Sequence, residues 1–264
     1  MSHTWRLPSR RRLLSAAPRA LVSVAAPVVV LLIVWVIAQR TSGLNPLLFP
    51  TPSQVWTAAR ENPGVLWSAA KVTMRGAFGG FVVGNIAGIV LALIVARSVS
   101  ASRLVLPLAV GIRVIPVIAV APLLTLVLGR GLATVVTVAG LLVFFPTLIN
   151  GILGLRSVTR DQLDMMRMAD ASSWQVFHRL RLPAALPSLF AGFQVAAASS
   201  VLGAMLAEWV ASGNGLGYLI LQSSFQFDVA LMWAAVILAT LITVGAAVLT
   251  AAVGHWVVWW ADTR

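Results

Sequence analysis

The stretch of sequence that decides the fold runs from residue 73 to residue 96 and reads TMRGAFGGFVVGNIAGIVLALIVA. Arg75, close to its start, is its only charged residue. About 20 predominantly apolar residues let an α-helix cross the hydrocarbon core of a bilayer, so this stretch predicts a membrane-spanning helix. The composition of the chain agrees, because 59% of it is hydrophobic and only 10% is charged, whereas a soluble domain carries roughly 25% charged residues. A water-soluble globular protein is therefore excluded.

Five further apolar stretches meet the same criterion, so we expect six transmembrane helices. The six occupy Leu21–Gln39, Thr73–Ala96, Leu106–Leu128, Ala133–Leu155, Leu189–Ala207 and Ala230–Val258. We interpret the first as a retained anchor, because its apolar run is longer than the roughly 7–15 residues of a cleavable signal peptide. Stretches this long and apolar do not fit barrel strands, so the predicted fold class is all-α, a polytopic membrane protein.

The basic residues indicate how the chain is oriented. Thirteen of the 19 Lys and Arg residues fall in the N-terminal tail, the 97–103 and 156–182 connections and the C-terminus, which six crossings put on one side. Such an excess marks the cytoplasmic side, so both termini are expected in the cytoplasm. Residues 1–20 would form a basic cytoplasmic tail and residues 21–264 a single membrane domain. This distribution of basic residues explains the net charge of +12 without nucleic-acid binding. The expected partner is the lipid bilayer.

Small residues and prolines interrupt the apolar spans. Four glycines recur at every fourth position of the second span, and this stripe predicts close packing against another helix. They are Gly76, Gly80, Gly84 and Gly88. Three prolines lie in the third and fourth spans, where the sequence alone fits hinges along a pathway as well as simple kinks. They are Pro116, Pro122 and Pro146.

The connection between the fourth and fifth spans is unlike a plain loop. Its residues 161–183 read DQLDMMRMADASSWQVFHRLRLP. The apolar spacing predicts two short helices, with a turn and an N-cap supplied between Asp170 and Ser173. Methionine and aromatic side chains exposed in a cytoplasmic connection favour a docking surface for another protein.

This connection resembles the so-called EAA loop of permease subunits of bacterial ATP-binding-cassette (ABC) importers. The family pattern is Glu-Ala-Ala, then Gly, then Ile-x-Leu-Pro, and the corresponding residues here are Asp164-Met165-Met166, Asp170 and Leu180-Arg181-Leu182-Pro183. The departures are the shorter acid, two methionines in place of alanines, and Asp170 in place of glycine. If Asp170 occupies the left-handed turn that glycine serves, it bears a modest steric cost. Further matches lie at Phe144-Phe145-Pro146 and Gly215-Leu216-Gly217.

The resemblance implies a type I ABC importer permease fold in a bacterial plasma membrane. Its partners would be a second copy of the permease, a cytoplasmic ABC ATPase dimer and an extracytoplasmic solute-binding protein. Residues 156–183, here called the coupling segment, would dock in a cleft of the ATPase. The residues expected to make this contact are Asp164, Arg167, Ala169, Asp170, Ala171, Ser172, Trp174, Phe177, Leu182 and Pro183. The Gly-Leu-Gly motif resembles that of the branch of this family that imports nitrate, taurine, aliphatic sulfonates and thiamine-pyrimidine or riboflavin-like nutrients.

No catalytic constellation is visible in the sequence. It lacks a phosphate-binding Gly-rich loop ending in Gly-Lys-Ser or Gly-Lys-Thr, so ATP and Mg are expected on the partner ATPase and no cofactor on this chain. The absence of cysteine and the scatter of three histidines argue against a metal site or a histidine-activated nucleophile. We therefore expect a non-enzyme.

Polar residues at membrane depth are the candidates for the solute path. They are Arg113, Asn150, Gln194, Ser199, Ser200 and Glu208. Each also has a structural alternative: Arg113 can reach the interface, Glu208 can pair with a base, and the uncharged residues can bond neighbouring helices. An ion-driven secondary transporter is the alternative function, but it calls for charged residues in several spans, and only Arg113 and Glu208 qualify.

Overall fold

The computed structural model describes residues 33–39, 49–98, 100, 103–105, 107, 111 and 116–260. Within these residues the regular secondary structure is helical and includes no strand, as the all-α prediction requires. The helices are α1 (Pro52–Glu61), α2 (Pro63–Arg97), α3 (Val117–Leu128), α4 (Leu132–Leu155), α5 (Arg160–Met168), α6 (Ser173–Val176), α7 (Leu182–Ala211), α8 (Leu216–Phe225) and α9 (Val229–Val257). A π-helical turn, Phe177–Arg181, joins α6 to α7. Residues 33–39 are helical as well.

The chain packs as two compact units, which divide between Thr57 and Ala58. In the first unit the indole Nε1 of Trp35 donates a hydrogen bond of 3.2 Å to the carbonyl oxygen of Pro50. All features described below lie in the second unit.

Four helices of the described residues are long and apolar enough to cross a membrane. They are α2, α4, the continuous helix Ser173–Ala211 and α9, and they confirm the spans predicted at Thr73–Ala96, Ala133–Leu155, Leu189–Ala207 and Ala230–Val258. The prediction at Leu21–Gln39 lies outside the described residues except for 33–39. Of the prediction at Leu106–Leu128, α3 forms the second half, and most of the first half lies outside the described residues.

Two of these helices extend beyond the stretches that hydropathy selects. Helix α2 begins at Pro63 and not at Thr73, because proline fits the first helical position, where its missing N–H is not needed. Helix α7 begins at Leu182 and not at Leu189. Pro122 and Pro146 lie inside α3 and α4 without ending them.

The glycine stripe of α2 packs directly on α4. A Cβ atom built on Gly84 would lie 2.5 Å from the carbonyl oxygen of Gly140 and 2.7 Å from Cβ of Val143. One built on Gly88 would lie 2.9 Å from Cβ of Thr147. These distances are shorter than van der Waals contacts, so the two helices touch through their backbones. The packing role predicted for the stripe is confirmed.

Small side chains continue this close packing through α2, α4 and α7. One buried cluster includes Ala77, Val135, Ala139 and Ala204 and also takes in Ala121 of α3. A second cluster, near the coupling segment, includes Val95, Leu148 and Ala185. By contrast, α9 leaves many apolar side chains exposed, among them Leu241, Val244 and Val248. Most of the buried packing of this unit therefore lies between α2, α4 and α7.

Replacing Gly84 with alanine is expected to destabilise the fold by about 1–3 kcal/mol, because the added methyl group has no room against α4. Gly64 provides the matched control in the same helix, since a Cβ atom there meets nothing within 4 Å and alanine has the higher helix propensity. Thermal unfolding in detergent, followed by tryptophan fluorescence, measures both variants. Equal unfolding temperatures for Gly84→Ala and Gly64→Ala would contradict the backbone contact.

Candidate functional site

The first helix of the coupling segment is fixed at its start by a capping box. The Thr159 hydroxyl accepts a 3.3 Å bond from the N–H of Gln162, and the Gln162 side chain accepts a 3.1 Å bond from the N–H of Thr159. These reciprocal bonds satisfy two of the N–H groups that a helix start leaves unpaired. Helix α5 therefore begins at a defined residue although none of its side chains is fully buried.

The turn that follows α5 places Asp170 in the left-handed conformation, with φ of 50°. The N–H of Asp170 donates to the carbonyl oxygen of Arg167, and the N–H of Ala171 donates to that of Met166, both at 3.0 Å. These two bonds form a Schellman motif, which usually has glycine at the position of Asp170. Asp170 therefore performs the turn that glycine serves in the family pattern, at the steric cost expected for a residue with a Cβ atom.

The second half of the segment leads into α7 without a break. Ser172 and Gln175 form a second capping box, as the predicted N-cap requires. In the π turn the N–H of Leu182 donates to the carbonyl oxygen of Phe177, five residues earlier. Pro183 follows with no N–H to donate, and a π turn is a usual way for a helix to accommodate such a disturbance. From Ser173 onward, the coupling segment therefore forms one continuous helix with α7.

The coupling segment exposes an apolar surface. Met165, Met168 and Trp174 are 66%, 83% and 67% exposed. The Trp174 ring contacts that of His178, with 3.7 Å between the ring centroids and an angle of 42° between the ring planes. Exposed methionine and tryptophan side chains are typical of surfaces that bind another protein.

The two aromatic residues predicted for the ATPase contact are placed differently. Phe177 is half-buried and packs against the second core cluster, and the Arg97 guanidinium lies 5.6 Å from its ring centroid. Trp174 is exposed, so only it presents most of its surface for docking. Asp164 and Arg167 form an exposed ion pair of 2.9 Å, and an exposed pair of this kind stabilises a protein by roughly 0–1 kcal/mol.

The other residues predicted for the coupling contact lie around the turn after α5 and at the start of α7. Ala169, Asp170 and Ser172 are exposed, whereas Ala171, Leu182 and Pro183 are half-buried. Ala169 ends α5 through a 3.2 Å bond from its N–H to the carbonyl oxygen of Met165. The exposed predicted residues thus flank the turn between the two short helices.

A cavity of about 560 Å³ lies between α3, α4 and α7. It brings together two of the residues predicted for the solute path, Asn150 and Ser199, with the aromatic ring of Phe145. The amide Nδ2 of Asn150 donates a 2.8 Å bond to the carbonyl oxygen of Pro146, and the hydroxyl of Ser199 donates a 2.9 Å bond to that of Val195. Ser199 also borders a second cavity, of about 410 Å³, between α7 and α9.

The remaining path candidates lie elsewhere. Gln194 is exposed on α7, and Ser200 is buried with its hydroxyl bonded to the carbonyl oxygen of Ala197 at 2.8 Å. Arg113 lies outside the described residues. In the described part of the chain no three His, Asp or Glu side chains come close enough to hold a metal ion.

Glu208 is fully buried and holds the start of α8. Its Oε2 accepts a 3.0 Å bond from the Thr73 hydroxyl and a 2.8 Å bond from the N–H of Gly217. The Thr73 oxygen in turn accepts a 2.8 Å bond from the N–H of Leu216. We call Glu208, Thr73, Leu216 and Gly217 the latch. It joins α2, α7 and the first turn of α8.

Gly215 permits the latch to close. Its φ is 111°, and a Cβ atom there would lie 2.5 Å from Oε1 of Glu208. A base was one expected partner of Glu208, whereas neither Thr73 nor the glycines were expected to contact it. The available signal was Gly215-Leu216-Gly217 shortly after a lone acid in an apolar span.

Comparisons with known proteins agree with this geometry. The family described as "Binding-protein-dependent transport system inner membrane component" matches residues 84–258. The riboflavin transport system permease protein RibX of Chloroflexus aurantiacus is 33% identical over 87% of this chain and 87% of its own length. The formylaminopyrimidine transport permease protein ThiX of Halalkalibacterium halodurans is 33% identical over 75% of this chain and 79% of its own.

A solved structure shows the same fold. The match is a chain of the inward-facing MetNI methionine ABC transporter, with a TM-score of 0.58. The alignment covers 81% of this chain and 100% of that chain at 20% sequence identity.

Proposed function

This chain belongs to the family of binding-protein-dependent transport system inner membrane components, and on that premise we propose that it carries a small nutrient with an aromatic heterocycle across the plasma membrane. It acts as the permease subunit of an ATP-driven importer. The family supports this function and not the ion-driven alternative. The solute arrives on an external binding protein, and ATP and Mg are bound by a separate ATPase.

The observation that carries the solute class is the cavity between α3, α4 and α7. None of the described residues that line it is charged, and they are mostly apolar. The Phe145 ring offers a surface for a flat ring to stack on. Oδ1 of Asn150 and the hydroxyl oxygen of Ser199 are acceptors for the N–H groups of a heterocycle. These features suit a neutral heterocycle better than a sulfonate or nitrate anion, which would call for a basic partner.

The relatives support the same class. RibX and ThiX are named for riboflavin and formylaminopyrimidine, both of which contain a pyrimidine ring. A cavity of about 560 Å³ falls within the roughly 300–1,000 Å³ common for small-molecule sites. The solute is therefore proposed to be a pyrimidine or a flavin.

The exposed Met165, Met168 and Trp174 surface supports docking of the ATPase on the coupling segment. Because this segment continues into α7 through a helical turn, movement of the ATPase would be transmitted directly to a helix that lines the cavity. A ligand can shift such a two-state equilibrium only by binding one state better. ATP would favour one state by binding to the ATPase, and the loaded binding protein would favour one state by binding on the opposite side of the membrane.

Two permease copies are proposed to form the path together, with both termini of each in the cytoplasm. The exposed apolar side chains of α9 support a face available to lipid or to a second copy. The bias of Lys and Arg toward the N-terminal tail and the 97–103 and 156–182 connections supports the orientation.

Copurification tests this function. The tagged chain, extracted from its native host in mild detergent, is expected to bring down an ABC ATPase and a binding protein, identified by mass spectrometry. Calorimetric titration of that binding protein with riboflavin, formylaminopyrimidine, taurine and nitrate then tests the solute class. Tight binding of taurine or nitrate alone would overturn the heterocycle, whereas a chain that purifies without an ATPase and imports along an ion gradient would overturn the importer.

A further inference from the structure

Three arginines meet in a cleft of about 490 Å³ beneath the coupling segment. Arg97 comes from the end of α2, Arg167 from α5 and Arg181 from the π turn. None of the described residues that line the cleft is acidic. Arg167 is paired with Asp164, so the cleft retains an excess of positive charge and suits an anion.

The position of the cleft along the membrane helices indicates where that anion comes from. Arg97 is the last residue of α2, and Arg181 directly precedes Leu182, the first residue of α7. An arginine at the end of a membrane-spanning helix reaches the lipid headgroups. Arg97 therefore places the cleft at headgroup depth, and Arg181, which lies inside the continuous helix Ser173–Ala211, lines the same cleft.

The other walls of the cleft fit a headgroup and the part of a lipid that follows it. Ser173 contributes a hydroxyl, whereas Leu163, Val176 and Phe177 contribute apolar surface. Guanidinium groups bind phosphate oxygens through two parallel N–H bonds.

We propose that this cleft binds the phosphate group of an anionic phospholipid. The bound lipid joins the end of α2 to the coupling segment, because the arginines come from both. It therefore stabilises the segment in one position relative to the membrane core. Arg167, Trp174 and Phe177 of the coupling segment also line the cleft, but the proposal does not rest on the coupling function, because lipid binding is measured on the permease alone.

Lipid binding by the purified full chain tests the proposal. Native mass spectrometry in detergent compares phosphatidylglycerol with phosphatidylcholine of the same acyl chains. A basic residue near an anionic lipid contributes about 1 kcal/mol, so we expect Arg97→Gln or Arg181→Gln to weaken phosphatidylglycerol binding roughly fivefold each and the double variant about thirtyfold. Arg179→Gln is the matched control, because Arg179 lies in the same π turn but does not line the cleft, and its binding should equal that of the unmodified chain.

Three results would overturn the proposal. One is equal phosphatidylglycerol binding by the double variant, or by the two single variants should the double variant fail to fold. Another is displacement of the lipid by millimolar inorganic phosphate, which would assign the cleft to the free anion. The third is loss of a copurifying ATPase from the variants with lipid binding unchanged, which would assign the arginines to carboxylates of that protein.

Discussion

Trp174→Ala is expected to weaken binding of the ATPase by roughly 30-fold or more and to abolish solute-stimulated ATP hydrolysis. Truncating an aromatic residue at the centre of an interface typically costs about 2–4 kcal/mol of binding free energy. Trp174 is 67% exposed and its ring contacts that of His178 on the same short helical stretch. Its loss therefore removes little from the core of the permease, and the membrane fold should persist.

Phe177→Ala is the informative companion to this variant. Phe177 packs against the core cluster that includes Val95 and Leu148, so its truncation should lower the unfolding temperature before it affects docking. Truncating a fully buried Phe to Ala lowers the free energy of unfolding by about 3–5 kcal/mol, and truncating a half-buried Phe lowers it by less. The two variants thus separate docking from folding within one short segment.

Trp256→Ala is the control for removing an exposed tryptophan. Trp256 lies near the end of α9 and is 82% exposed, but it does not belong to the coupling segment. ATPase binding by each variant is measured by pull-down, and hydrolysis is measured with the solute-loaded binding protein in proteoliposomes. Unchanged stimulated hydrolysis in Trp174→Ala, or an equal loss in Trp256→Ala, would show that Trp174 is not the anchor.

How well each feature could be predicted from the sequence depends on how far apart in the chain its interacting residues lie. Local rules were sufficient for the four spans that α2, α4, α7 and α9 confirm, for the glycine stripe and for the Ser172 N-cap, because each depends on residues close in the chain. The left-handed conformation at Asp170 was expected from one family position. Hydropathy missed the starts of α2 and α7, because it does not register Pro63 as a helix start or the π turn before Pro183.

The features that escaped prediction depend on residues far apart in the sequence. The Thr73 hydroxyl and the Glu208 carboxylate are 135 positions apart in the chain, and no periodicity relates them. The same holds for the cavity, which is lined by residues of α3, α4 and α7. Ser199 lines it, whereas its chain neighbour Ser200 does not. A list of polar residues at membrane depth therefore contained both latch and cavity residues, and only the fold could sort them.

Glu208→Ala is expected to destabilise the protein by about 2–5 kcal/mol, because it leaves the N–H of Gly217 and the hydroxyl of Thr73 buried without their acceptor. The start of α8 would lose its attachment to α2 and α7, so transport should fall with stability. Glu208→Gln retains an acceptor oxygen in the same place. We expect it to unfold within a few degrees of the unmodified protein.

The contrast between these two variants isolates the latch from the charge of Glu208. In the described part of the chain its Oε1 has no hydrogen-bond partner. Its bonds to Thr73 and Gly217 both pass through Oε2, the one oxygen that the amide of glutamine can replace. Gln194→Ala is the control on the same helix, since Gln194 is exposed and its truncation should be nearly neutral. Thermal unfolding in detergent and uptake into proteoliposomes measure all three variants. If Glu208→Ala unfolds at the temperature of Gln194→Ala, the latch does not stabilise α8. If Glu208→Gln instead unfolds at the lowered temperature expected of Glu208→Ala, the stabilisation comes from the carboxylate charge and not from the position of the acceptor oxygen.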